Sequence, residues 1–159
     1  MEFDWSQLRI LSLVALAMGL GAVIGFEREL ADKPAGLRTH MIVAGAASLF
    51  VALGDVLVRH FDMGISHDVL RTDPIRVIEA VITGVSFLGA GTIIRAESDR
   101  RVEGLTTAAS ILLAAAVGVC VTMTQITLAV GVTALALLTL RGVGFAEKTL
   151  QKLRARSDG

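Results

Sequence analysis

The residues of this sequence that could take part in chemistry are charged side chains at the edges of long apolar stretches. Glu27 and Arg28 end the first stretch, and Arg38, Thr39 and His40 open the second. A charge at the centre of a membrane span costs about 2.5–3.5 kcal/mol, so such residues usually pair or face inward. We therefore predict that Glu27 and Arg38 pair across the turn between the two stretches, as a structural ion pair at the membrane surface.

A second charged group surrounds the start of the third apolar stretch. Asp73 precedes Pro74, an order typical of a helix start, and Arg76 and Glu79 follow. Asp55 ends the second stretch on the same side. Asp55, Asp73 and Glu79 together would suit Mg²⁺ bound through its waters. Ion pairing with Arg76 explains the same carboxylates without a metal ion, so both interpretations stay open.

Nothing in the sequence indicates catalysis. It has no Gly-rich phosphate loop, no His-Glu-x-x-His and no Ser-centred elbow, and we expect no enzyme activity. The single Cys120 lies in an apolar run and is expected to be core packing. The net charge of zero gives no reason to expect a nucleic-acid partner. Apart from Mg²⁺, no cofactor is indicated.

The residues above lie at the ends of apolar stretches that are long enough to form membrane-spanning helices. Hydrophobic residues make up 53% of the chain and charged residues 19%, and the charges separate long apolar runs. A membrane span needs about 20 such residues. The predicted spans are 8–26, 41–58, 75–94, 105–123 and 126–140. The sequence therefore predicts an all-α polytopic membrane protein with five helices in residues 1–144, and a short basic tail in 145–159.

Basic residues predict which side of the membrane each end occupies. Eleven of the 15 Lys and Arg residues lie in the first loop, the third loop and the tail. The positive-inside rule places these segments in the cytoplasm. The N-terminus and the loop of residues 59–73 are then outside, and the tail lies near anionic lipid headgroups.

Small residues recur at helical spacing in these stretches. Lipid gives no hydrophobic drive for helix association, so close backbone contact through small side chains must hold the helices together. The glycines predicted to pack against helices are Gly21, Gly25, Gly84, Gly89, Gly91 and Gly118. Gly89 and Gly91 could also leave room for an ion, a water or a partner helix, and Gly21 and Gly25 could serve a homodimer.

Four ordered motifs resemble the MgtC/SapB family of bacterial membrane proteins. They are GAVIGFERE at 21–29, KPAGLRTH at 33–40, DPIR and GVSFLGAG at 73–91, and GLTTAAS at 104–110. The resemblance implies five helices in the inner membrane, with the N-terminus outside. It places the family's characteristic polar positions on Glu27, Arg28, Arg38, Thr39, Asp73, Arg76, Thr106 and Thr107, to which we add the adjacent His40.

The resemblance also implies a function. Members are associated with growth in low Mg²⁺ and with survival of pathogens in macrophages, and the best-known ones act on the membrane sector of ATP synthase. We therefore expect a regulator of Mg²⁺ or proton-motive-force homeostasis, or else a small, dimeric Mg²⁺ transporter or channel. Because the sequence ends at Gly159 without an ACT-like domain, we expect the short, SapB-like form.

Overall fold

The computed structural model describes residues 5–62, 74–94 and 104–157, with side chains for 5–58, 75–93 and 104–142. This part of the chain is helical and contains no strand. Its helices are α1 (Trp5–Leu30), α2 (Leu37–Asp62), α3 (Pro74–Ile94), α4 (Leu105–Thr122) and α5 (Ile126–Ser157). The predicted all-α fold is confirmed, and the helices extend beyond the apolar stretches that predicted them.

Four of the helices, α1 to α4, are long and apolar enough to cross a membrane. In α5 the apolar part is the shorter Ile126–Gly142. The chain is therefore a multi-pass membrane protein. Because α5 continues without a break to Ser157, the boundary predicted between 144 and 145 does not coincide with the end of a helix.

Two tight turns connect neighbouring helices. After α1 the chain turns through residues 31–36, where Asp32 takes a left-handed backbone conformation at φ 54°. The Glu29 carboxylate then accepts a 2.8 Å hydrogen bond from the Leu37 amide, which leaves one fewer unpaired donor at the start of α2. Between α4 and α5, Thr124 is left-handed at φ 58°, and residues 123–125 form a short turn.

The helix α4 lies at the centre of the bundle and contacts all four other helices. It runs parallel to α2, since His40 meets Ser110 near one end and Ser48 meets Thr122 near the other. One apolar cluster joins α4 to α1 and α5 around Ile24 and Val117. A second joins α4 to α2 and α3 around Ile111. The shortest fully described helix therefore organises the fold.

Four of the six glycines predicted as packing positions lie against a neighbouring helix. A Cβ on Gly21 would come within 2.5 Å of the His40 carbonyl oxygen, and one on Gly25 within 2.8 Å of the Leu37 Cα. On α4, a Cβ on Gly118 would collide with the carbonyl oxygen of Ala44. The contact of Gly89 is looser, 3.3 Å from the Ala108 Cβ. These glycines let backbones approach where any side chain would separate the helices.

The other two predicted packing glycines lie against no neighbouring helix in the described part of the chain. A Cβ on Gly84 or Gly91 would meet nothing within 4 Å in the described part of the chain. The reason is the rotation of α3 about its own axis. The helix contacts α4 through the side that carries Gly89, so the opposite stripe of Gly84, Phe87 and Gly91 faces outward. Gly21 and Gly25, suggested for a homodimer, both lie against α2 within the chain, and the homodimer stays a prediction.

Candidate functional site

Buried polar side chains gather at the end of the bundle where α1 turns into α2. We call the following five residues the polar cluster: Glu27, Arg28, His40, Thr107 and Ser110. Their exposed fractions are 7%, 4%, 0%, 1% and 4%. Polar groups buried this deeply in a membrane helix bundle are costly, and they mark a functional site by default.

Helix length and glycine spacing explain why α1 and α2 contribute to this cluster. Because α1 continues to Leu30, Glu27 and Arg28 lie inside its last turn and not in the following loop. Gly21 and Gly25 on α1 present no side chain, so α2 comes close enough for His40 to contact both positions. The ring of His40 is thereby enclosed between α1 and α4.

The imidazole of His40 connects α2 to α4 by hydrogen bonds. Its Nδ1 lies 2.9 Å from the carbonyl oxygen of Gly36, one turn earlier. Its Nε2 lies 3.0 Å from the Ser110 hydroxyl of α4. That hydroxyl also lies 2.8 Å from the carbonyl oxygen of Thr107, to which it can donate. The ring, hydroxyl and carbonyl therefore form one connected network across the helix interface.

The two charged members of the cluster form a loose pair. Arg28 Nη1 lies 3.9 Å from Glu27 Oε2, beyond hydrogen-bond distance. Within the described residues, neither Glu27 Oε2 nor Arg28 Nε has a hydrogen-bond partner. The carboxylate thus keeps the capacity to accept a further hydrogen bond in a buried position.

The predicted ion pair between Glu27 and Arg38 is wrong. Glu27 turns into the bundle and pairs with its neighbour Arg28, whereas Arg38 is exposed on the outer face of α2. The carboxylate that does cross the turn belongs to Glu29, through the Leu37 amide. Because α1 extends one turn further than its apolar run, the positions of Glu27 and Glu29 relative to α2 differ from those expected.

The remaining predicted polar residues divide between the two ends of the bundle. Near the polar cluster, Thr106 is exposed like Arg38, and Thr39 is half-buried. At the opposite end, Arg76 is exposed in the first turn of α3. Asp73 lies outside the described residues. The predicted motif therefore does not form a single site, and only Glu27, Arg28, His40 and Thr107 come together in the interior.

The candidate Mg²⁺ ligands lie at this opposite end. Asp55 on α2 and Glu79 on α3 are both exposed, and α2 approaches α3 here through Gly54 and Val77. In the stretches that the structure describes, no three His, Cys, Asp or Glu side chains are close enough to hold a metal ion. The third candidate, Asp73, lies outside these stretches, so the Mg²⁺ site stays a prediction.

Sequence reasoning assigned no site role to three polar residues. Ser110 follows Thr107 by three positions, a spacing that places both on one helix face and could have indicated the cluster. Ser48 and Thr122 form a second polar contact between α2 and α4, with 2.8 Å between their hydroxyl oxygens. Thr122 also donates to the Ser48 carbonyl oxygen at 2.9 Å. Serine and threonine in apolar runs give little signal on their own.

Comparison with known proteins places the chain in a family. The sequence profile of the MgtC family matches residues 14–149. YhiD of Escherichia coli K12, a protein provisionally named a magnesium transporter, is 39% identical over 109 residues, which are 69% of this chain and 48% of YhiD. SapB of Bacillus subtilis is 38% identical over 109 residues, 69% of this chain and 45% of SapB. MgtC of Brucella abortus is 40% identical over 106 residues, 67% of this chain and 39% of MgtC.

The chain spans about half the length, or less, of these three relatives. This holds for SapB as well as for MgtC, so length does not single out a resemblance to SapB. No solved structure matches the chain. The family match covers most of the sequence, including the polar cluster and the central helix α4. This multi-pass membrane protein therefore belongs to the MgtC family.

Proposed function

We propose that this protein acts in Mg²⁺ and proton-motive-force homeostasis as a regulator or accessory factor in the bacterial inner membrane. It works through helix contact with another membrane protein, such as the membrane sector of ATP synthase. The N-terminus lies outside and the end of α5 lies in the cytoplasm, as the distribution of basic residues indicates. A connection to Mg²⁺ is supported by family membership and by the name of YhiD.

The observation that carries this proposal is the outward face of α3. This helix is the least buried of the four long apolar helices. Its face carries Phe87, which is 84% exposed, and two glycines, Gly84 and Gly91. A Cβ added to either glycine would meet nothing within 4 Å among the described residues. Small residues beside a large one provide a groove and a ridge for a partner helix in lipid, where association depends on close packing.

Capture of the partner in mild detergent tests this proposal. The tagged protein should co-purify with a membrane protein. Gly84→Leu should reduce the amount of this partner that co-purifies at least about tenfold, because the leucine side chain fills the groove. Gly131→Leu on α5 is the matched control, since Gly131 also meets nothing within 4 Å. Recovery of the protein alone, or equal loss with both variants, would refute contact through α3.

Growth at different Mg²⁺ concentrations tests the physiological role. A strain that lacks the protein should grow poorly in low Mg²⁺ and recover with the wild-type gene. Arg38→Ala and Asp73→Ala should insert into the membrane but fail to restore growth, since each removes a charge at a helix end. Full recovery with both variants would show that these charges have no part in the function.

Transport of a divalent cation is the second candidate. It is favoured by the exposed carboxylates of Asp55 and Glu79 at the approach of α2 to α3, and by the name of YhiD. The interior of a single copy is filled by side chains such as Ile24, Ile111 and Val117, so a conduit would require a dimer. Mg²⁺ flux into proteoliposomes above that of empty vesicles would establish transport, and its absence would reject it.

A further inference from the structure

The hydrogen bonds of His40 define where its protons lie. A carbonyl oxygen only accepts, so the 2.9 Å contact with Gly36 requires a hydrogen on Nδ1. A neutral imidazole carries one ring hydrogen. In a neutral His40, Nε2 would therefore be an acceptor, and the Ser110 hydroxyl 3.0 Å away would have to donate to it.

Ser110 cannot make that bond and keep its other contact. Its hydroxyl oxygen lies 2.8 Å from the Thr107 carbonyl oxygen, which also requires the hydroxyl hydrogen. One hydrogen cannot serve both acceptors at full strength. If His40 carries a second proton, Nε2 donates to Ser110, and Ser110 donates to Thr107. All three contacts are then hydrogen bonds, whereas a neutral ring in either tautomer leaves one of the three without a hydrogen.

The charged groups nearest His40 lie on α1, and they oppose each other. From α1, the buried Glu27 supplies a negative charge, and Arg28 opposes it with a positive one. On α2 itself, Arg38 is exposed and faces away. In α4, Cys120 is the one ionisable residue, about three turns from Ser110. Among the described residues, Glu27 Oε2 has no hydrogen-bond partner and lies 3.9 Å from Arg28 Nη1.

We propose that His40, Ser110 and Glu27 form a proton-binding site whose occupancy alters the contact between α2 and α4. When Nε2 takes up a proton, the hydrogen bond from Ser110 to His40 is replaced by one from His40 to Ser110. The Ser110 hydrogen is then free to bond the Thr107 carbonyl oxygen. Glu27 balances the added charge. The site lies at the end of the bundle assigned to the cytoplasm by its basic residues, so the cytoplasmic pH sets its occupancy. It depends on neither the partner nor the cargo proposed above.

Nitrogen NMR of the imidazole tests proton binding directly. The chain has three histidines, and His60→Gln with His67→Gln leaves His40 as the sole reporter in full-length protein in lipid nanodiscs. We expect a ring that takes up a proton on Nε2 between about pH 5 and 8, with Nδ1 protonated throughout. A neutral ring protonated on Nε2, or no titration in this range, would overturn the proposal.

Charge variants separate the role of Glu27 from a general surface effect. Glu27→Gln removes the balancing charge and should weaken proton binding about tenfold. Glu29→Gln is the matched control, because it removes one charge two residues away at an exposed position and should change proton binding less than about twofold. Equal effects of the two variants would remove Glu27 from the site.

Distance measurements test whether proton binding alters the helix contact. Spin labels at the exposed positions Leu49 on α2 and Leu112 on α4, with Cys120→Ala, report the separation by double electron–electron resonance. The distance distribution should differ between pH 5.5 and pH 8 in this background. Adding Ser110→Ala should abolish the difference, because the ring is then uncoupled from α4. If the labelled protein that retains Ser110 gives the same distance distribution at both pH values, proton binding does not alter the contact between α2 and α4.

Discussion

Burial of Glu27 and Arg28 without a close hydrogen bond between them is the most costly feature at the residue scale. Their side chains are 9% and 5% exposed, and their nearest charged atoms lie 3.9 Å apart. A buried pair contributes little net stability, but the removal of one partner leaves an uncompensated charge. The pair is therefore better explained by a function of the polar cluster than by stability.

Arg28→Met should destabilise the protein by about 3 kcal/mol, because Glu27 would stay buried and charged without a partner. The double variant Glu27→Gln with Arg28→Met should recover most of this loss. Thermal unfolding in detergent measures both. A double variant less stable than Arg28→Met would show that the two residues make independent contributions.

Gly118 supports the fold through the absence of a side chain. Gly118→Ala should lower stability by about 1–3 kcal/mol, because the new Cβ collides with the backbone of Ala44 and separates α2 from α4. Gly131→Ala, on an open helix face, should show no loss in the same unfolding assay. Equal stability of the two variants would mean that α2 and α4 are further apart than described.

At the scale of elements, the turn between α1 and α2 is fixed by contacts that cross it. Glu29, near the end of one helix, caps the start of the next through the Leu37 amide. Gly25 lets the Leu37 backbone approach α1 at the same level. The two helices thus form a hairpin whose geometry is set before the other helices pack against it.

Glu29→Ala should cost about 1 kcal/mol, since the Leu37 amide loses its side-chain acceptor. Glu29→Gln keeps an acceptor oxygen and should retain most of the stability. Chemical unfolding in a mixed micelle compares the two. A loss as large with glutamine would point to the charge of Glu29 and not to its hydrogen bond.

At the scale of the whole molecule, the bundle presents different chemistry at its two ends. The polar cluster lies at the end where α2 begins, and Asp55, Arg76 and Glu79 lie where α3 begins. The exposed Arg38 and Arg76 consequently lie on opposite sides of the membrane. A proton site and a cation-attracting surface would then sense different compartments.

Labelling of single cysteines in intact cells should reveal this asymmetry. In a Cys120→Ala background, Arg76→Cys should react with a membrane-impermeant maleimide, and Arg38→Cys should react only after the cells are opened, because basic segments stay inside. The reverse pattern would invert the orientation and assign the polar cluster to the outer side.

The sequence was informative about elements and much less so about helix rotation. The length of the apolar runs was enough to predict the helices, because helix formation in these runs depends on local chemistry. Which face of α3 carries its contacts could not be inferred, because Gly84, Gly89 and Gly91 are equivalent until a neighbour is placed. Likewise, the pairing of Glu27 with Arg28 and not with Arg38 depends on one extra helical turn in α1.

The central position of α4 also has a consequence for biogenesis. A membrane protein is inserted from its N-terminus while it is synthesised, so α1, α2 and α3 enter the lipid before the helix that all of them contact exists. Until α4 is inserted, the α1–α2 hairpin is held only by its own contacts, and α3 lacks its contacts with α4. A released chain that ends just before Leu105 would therefore have three helices without the helix that all of them contact, and we expect such a chain to be degraded.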